Sequence, residues 1–411
     1  MTRFRGNRHF LPARFYFRHH ALVLAGAICL LLSIEWALGA RWSLFWPLVI
    51  WGLIVSIHYF VSAAFDINEV WADDRVVDVK TRSYDLGHIL NIEHRIDATD
   101  DSITPHTERE RLGVNLVDAH HHLWDLEGAN HPWLCDQPRI PFRYGDYTAI
   151  CRNYLGEHYL ADTAGHTVLG SVHVEAEWNP ADPVGETRWL EEVLTTLAHP
   201  VVFVVQARLE REDVDDVLSK HAAFERVRGV RQKPRAALSS DTVKRGQPGS
   251  MDDKIWRDGY SKLAQYGFSF DLQVPYWHLD QAADLACDFP ETTLILNHTG
   301  LPLGRHRHDL APWRKALEKL AQQDNTAIKI SGLGQAGLPW TVEANRGVIR
   351  DALAIFEHTR AMFASNFPVD RLCVDFNTLY TGFQETVCDL PPTQQDNLFF
   401  ANARKFYRIP A

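Results

Sequence analysis

The stretch Val117-Asp118-Ala119-His120-His121-His122-Leu123-Trp124 sets three imidazoles at the end of a short apolar run. In an extended strand, residues i and i+2 point the same way. His120 and His122 therefore share a face, and His121 points opposite. Two imidazoles on one face, joined by a third from elsewhere, form a donor set for Zn²⁺ or a similar divalent ion with one position open for water. Such a water ionises near neutral pH and becomes a nucleophile. The chain holds 21 histidines, so a plainer role also fits the pair, that of capping a strand end by bonds to neighbouring carbonyls. The choice depends on the element that carries them.

From Val114 onward, a short β-rich run followed by an amphipathic helical stretch recurs. Eight runs are visible: "NLVDAHHH", "VLGSVHVEAEW", "PVVFVVQARL", "VRGVRQKP", "FSFDLQVP", "TTLILNHTG", "TAIKISGL" and "RAMFASNFPVD". Strand alternating with helix implies parallel strands with right-handed crossovers. Eight such units in about 300 residues have the size of a (β/α)₈ TIM barrel, of α/β class. A doubly wound open sheet competes, but no Gly-rich phosphate loop follows the first strand.

A barrel of this kind places chemistry at the C-terminal ends of its strands. Polar residues fall there: His173, Glu175 and Glu177 on strand two, Arg231 and Gln232 on strand four, and Asp271 and Gln273 on strand five. Strand six supplies His298, strand seven Lys329 and Ser331, and strand eight Asn366, with Asp370 just beyond. His298, from across the barrel, would complete a metal set with His120 and His122. Arg231 and Lys329 are candidate anion clamps, because both cations bind carboxylates and a guanidinium does so in bidentate fashion. Glu175, Gln232 and Gln273 are candidate substrate contacts.

Residues 114–411 resemble the amidohydrolase superfamily in its amidohydrolase-related branch, and within it the lactonase-type group that includes L-fuconolactone hydrolases and 2-pyrone-4,6-dicarboxylate lactonase. The supporting pieces are "VDAHHHLWD", "HPWL", "GETRWLEEV", "RGVRQ", "GFSFDLQV", "LILNHTGLP", "IKISGL", "FASNFPVD" and "NARKFYRI". The resemblance implies hydrolysis of a lactone or related small ester, with one divalent metal (zinc foremost) in some members and none in others. It maps His120, His122 and His298 to the family's strand-one and strand-six histidines. One departure matters. The family usually ends strand eight with an Asp that takes a proton from the attacking water, and this chain has Asn366. An amide is no base at neutral pH and a poorer ligand than a carboxylate. Asp370 is the expected replacement base. Glu175, Glu177 or Asp271 are alternatives, and altered or lost chemistry is another. Metal-dependent decarboxylation and a catalytically silent binding module compete with the hydrolase reading.

Ahead of the barrel, Arg3, Arg5, Arg8, Arg14 and Arg18 precede two apolar runs, Ala21 to Leu38 and Trp42 to Phe65. Each run is near the ~20 residues that cross the hydrocarbon. "RFYFRHH" and "FWPLVIWGLIVSIHYF" resemble the small two-helix membrane module called the 2TM domain. The expected organisation is a basic cytoplasmic tail at 1–20, a two-helix transmembrane anchor at 21–65, a polar linker at 66–113 and the barrel at 114–411. The arginine excess places the N-terminus in the cytoplasm, and two crossings return the barrel to that side of a cytoplasmic membrane. Six cysteines without a C-x-x-C pair agree with a reducing compartment. A formal charge of −10 argues against a nucleic-acid partner and for a small-molecule substrate.

Overall fold

The computed structural model describes residues 113–194, 197–302 and 310–410, with seven isolated positions between Gly26 and Ile54. The chain divides into two units, Met1–Glu108 and Arg109–Ala411, and the second is described here. No helix among the described residues is long and apolar enough to cross a membrane. The expected tail, two-helix anchor and linker fall, apart from those isolated positions, outside the described residues.

Eight strands form one parallel sheet in sequence order: β1 Asn115–His121, β2 Thr167–Val174, β3 Val201–Gln206, β4 Val227–Gln232, β5 Ser269–Leu272, β6 Leu294–Leu296, β7 Thr326–Ile330 and β8 Ala361–Phe363. A helix follows each: α1 Gly156–Asp162, α2 Gly185–Val193, α3 Val214–Ala222, α4 Lys254–Ser261, α5 Leu279–Asp288, α6 Ala311–Ala321, α7 Val342–Phe356 and α8 Phe376–Val387. The sheet curls until its ends meet. Asn366 donates its backbone N–H to the His120 carbonyl at 2.7 Å, and His122 donates to the Phe367 carbonyl at 2.7 Å. The seam therefore runs through the candidate site.

Alternation along the strands builds two apolar layers. Val117, Val172, Val174, Val202, Val204, Ile295, Ala327 and Met362 fill the bore, joined by Ala403, Tyr407 and Ile409 from the segment after α8. The opposite strand faces, such as Leu116, Phe203, Phe270 and Ile328, pack against the helices. In α7 the buried residues Val348, Ile349, Ala352, Leu353 and Phe356 follow the helical period and seat that helix on the sheet. Thr341 caps α7 by accepting from the Ala344 N–H, and Asp375 caps α8 by accepting from the Thr378 N–H. The two strands expected to carry His298 and Asn366 are short, so both residues stand in the turns beyond them.

Candidate functional site

Strict alternation from Val117 and Ala119, which face the bore, would turn His120 and His122 outward. A bulge prevents this. Asp118 pairs with Ser171 and His121 with His173, so β1 carries one residue more than β2 over that step. A bulge shifts the phase of side-chain alternation. His120 and His122 consequently face the bore. His121 faces the helices, bonded to the Ser171 hydroxyl at 3.0 Å and stacked on Tyr159.

His122 donates from Nδ1 to the Val174 carbonyl at 2.7 Å. Burial, followed by the nearby Arg231, holds its pKa well below the ordinary histidine value. It is therefore neutral, with a bare Nε2. That nitrogen lies 3.3 Å from His120 Nε2 and 3.4 Å from Asn366 Oδ1. The Asn366 amide is fixed by its other end, since Nδ2 donates to Asp370 Oδ1 at 2.7 Å. Two acceptors, His122 Nε2 and Asn366 Oδ1, thus face each other. His298 stands on the far side of His120, with ring centroids 4.7 Å apart, and its Nδ1 is 3.0 Å from the Ser331 hydroxyl. Burial first, then Arg143, keeps His298 well below the usual histidine range. His298, Asn366 and Glu177 all take positive φ, near 55°. Such strain, about 1 kcal/mol or more per residue, gathers where function over-determines the backbone.

Several expected roles change. Asp370 is buried, and its carboxylate is already engaged by the Tyr144 hydroxyl at 2.8 Å, the Asn366 amide and the Gly332 N–H at 3.1 Å. It holds Asn366 in place and is not poised to take a proton from water. Lys329 is fully buried, salt-bridged to Asp271 at 2.6 Å, with Asp271 also bonded to the Tyr407 hydroxyl. Burial pulls Lys329 down to about 8 against the attraction of Asp271. Neither is free to clamp or activate substrate, but Lys329 Nζ reaches His120 Nδ1 at 3.5 Å. Arg231 does line the site, with its guanidinium bonded to Glu175 at 2.5 Å and to Gln273 at 3.3 Å. Gln232 ties loops together, accepting from the Leu209 N–H and the Trp256 indole and donating to Glu210.

These groups border a cavity of about 300 Å³ whose wall includes His122, Arg231, Gln273, His298 and Asn366. It adjoins a wider one of about 880 Å³ that shares Trp133, Ile140, Glu177, Arg231 and Lys233. Sequence reasoning missed Arg143 and Phe142 in the smaller cavity's wall. Both lie on the long β1–α1 connection, which has no periodicity to flag them. It also missed Glu186, which accepts from His173 Nε2 at 3.2 Å and from the Ala176 N–H at 2.9 Å. Burial pushes Glu186 up to about 8 and His173 down to about 3, so the contact joins two neutral groups.

The amidohydrolase family profile matches residues 117–409. The chain belongs to the amidohydrolase family. A relative in Sinorhizobium fredii (strain NBRC 101917 / NGR234), the uncharacterized protein y4mH, is 38% identical over 296 residues, covering 72% of this chain and 99% of the relative. Among solved structures, an amidohydrolase from Burkholderia multivorans with bound zinc is 21% identical, with a TM-score of 0.61 over 72% of this chain and 100% of its own. A Pseudomonas putida structure provisionally named a 2-pyrone-4,6-dicarboxylic acid hydrolase is 19% identical, with a TM-score of 0.52 over 72% and 97%. At these identities the likeness is one of fold.

Amidohydrolases imply a divalent ion, and the donors can be tested against one. Two imidazole nitrogens about 2.0–2.1 Å from one tetrahedral ion lie roughly 3.3–3.4 Å apart, and His120 and His122 present theirs at 3.3 Å. The facing acceptors on His122 and Asn366 call for a cation or a donor between them. The residues therefore fit an ion held by two imidazoles and one amide oxygen. They do not form the three-histidine set expected from sequence. Among the described residues no three His, Cys, Asp or Glu side chains group to hold a metal.

Proposed function

We propose that this amidohydrolase opens a lactone or related small carboxylic ester with water. The carrying observation is that neutral His122, the fixed amide of Asn366 and neutral His298 converge on one cavity above β1. His120, His122 and Asn366 would hold a divalent ion, which when bound polarises the carbonyl and acidifies water. His298 lines the cavity with Nδ1 engaged by Ser331, which supports it as the group that accepts a proton. Water oxygen bonds to the carbonyl carbon as its proton passes to His298 Nε2. The ester C–O bond then breaks, and the departing oxygen takes that proton back, giving a hydroxy acid. Arg231, held by Glu175 and Gln273, orients polar substituents.

The test is a panel of γ- and δ-lactones and aryl esters offered to the full chain with and without added Zn²⁺, followed by acid release and headspace carbon dioxide. Acid without carbon dioxide, together with a drop of about 10²-fold or more in H298N, supports the reading. Carbon dioxide release would reassign the barrel as a decarboxylase. No turnover and no bound metal would leave a silent binding module. The membrane-anchor reading of residues 21–65, with the barrel in the cytoplasm, rests on their apolar runs and the arginine bias before them. Recovery of the protein in the soluble fraction after cell breakage would refute it.

A further inference from the structure

Among the described residues, the cations that line the smaller cavity are matched one for one with carboxylates, except at one position. Arg231 is paired with Glu175, and Lys233 with Glu177. Arg143 lines the same wall, and among the described residues no carboxylate lies within ion-pair distance of it. Its guanidinium lies over the ring of Tyr144, 4.6 Å from the centroid. The same side chain reaches the proposed reaction centre. A Cβ at Gly332 would lie 2.6 Å from His298 Nδ1 and 2.8 Å from Arg143 Nη2, so imidazole and guanidinium border one small space. Asp370 is near enough to feel the Arg143 charge, but it makes no ion pair with it, and its oxygens bond to Tyr144, Asn366 and Gly332. A half-buried guanidinium on the cavity wall beside neutral imidazoles is a receptor for a planar anion.

We infer that Arg143 is a specificity-determining residue that binds a carboxylate on the substrate, so that the lactone or ester consumed here is anionic. This rests on the hydrolase reading for its turnover arm but not for its binding arm. The alternative role for a cation so placed is stabilisation of the oxyanion formed during reaction, and that role is indifferent to the substrate's own charge.

Two measurements on the full chain separate these. First, calorimetric titration with cyclohexanecarboxylate and with the neutral cyclohexyl methyl ketone asks whether the cavity selects charge without any chemistry. The parent is expected to favour the carboxylate by about tenfold or more, with R143Q erasing that preference and R143K keeping part of it. Second, kcat/KM is compared for 6-oxotetrahydropyran-2-carboxylate and its primary amide, where R143Q should lower the acid-to-amide ratio by a similar factor through KM. Equal binding of the two probes by the parent would overturn the inference without any variant. So would an R143Q protein that keeps the preference, or one that loses kcat equally on both substrates. If the acid binds through Arg143 but no lactone turns over, the hydrolase reading fails and the anion site stands. If lactones turn over without charge preference, the reverse holds.

Discussion

At the scale of single residues, the departure at strand eight is explained by the residue one turn beyond it. Asn366 stands 2.7 Å from a buried carboxylate. An Asp at 366 would set two carboxylates face to face, and one of them would have to keep a proton. Burial already raises Asp370, so N366D would raise the pair further. A folded-state pKa above the unfolded value contributes stability below the unfolded value and loses it as pH rises through the folded one. N366D should therefore be less stable than the parent by about 1–3 kcal/mol at pH 8, with the gap closing toward pH 5 in denaturant titrations. Glu186 gives a cleaner test. Its pKa rises from 4.5 to about 8 on burial, so its share of stability is complete below 4.5 and is lost as pH climbs to 8. The difference in stability between the parent and E186Q should then slope by up to about 1.4 kcal/mol per pH unit inside that window and flatten outside it; a flat difference across the window would show that Glu186 is ionised in the fold. The pairing of His120 with His122 was legible because i, i+2 geometry needs no tertiary knowledge. Arg143 was not, since nothing local separates one loop arginine among 42 Lys and Arg. Lys329 and Asp271 were placed at the mouth because both lie toward strand ends, yet they bond to each other, and Asp271 also accepts from Tyr407.

At the scale of elements, the strand-and-helix grammar was readable because apolar runs and helical periods alternate along most of the barrel. What escaped was the irregular backbone. The bulge in β1 turns the histidines inward, and no residue type announces it. The turns after β6 and β8 carry His298 and Asn366 at positive φ, where neither residue signals the conformation. Gly332 is the partner of these turns. It has φ +62°, and an added Cβ would meet the His298 ring at 2.6 Å. G332A should displace that imidazole and lower kcat by about tenfold or more, with a stability loss of only ~1–3 kcal/mol. Unchanged kcat would mean that the position of His298 is immaterial to turnover. Gly259 serves packing instead, since a Cβ there would strike the Leu209 carbonyl at 2.0 Å and lift α4 from the loop after β3. G259A should cost ~2–4 kcal/mol by thermal melting, with little effect on KM.

At the scale of the molecule, the eight units were countable from sequence because a barrel repeats one supersecondary pattern. Closure was expected with them, but the place of the seam was not legible, because it is made by backbone groups of residues 120, 122, 366 and 367. The relative from Sinorhizobium fredii is almost wholly accounted for by the matched stretch, so residues 109–411 are expected to unfold alone in one cooperative transition; a broad melt with two steps would contradict this. The segment after α8 has its own part in that cooperativity. Tyr407 bonds Asp271 from inside the bore at 2.9 and 3.0 Å, and Y407F should lose about 1–3 kcal/mol by leaving the carboxylate under-bonded.

That segment also sets an order of events during synthesis. Every stave has left the ribosome before Ala403, Tyr407 and Ile409 are made, and until then the bottom of the tube is uncorked. Water can enter a valine-lined shaft, and the buried lysine and aspartate face each other without the phenol that donates to the aspartate. A nascent chain stalled near residue 400 should therefore be protease-sensitive and held by chaperones, although all eight strands are present.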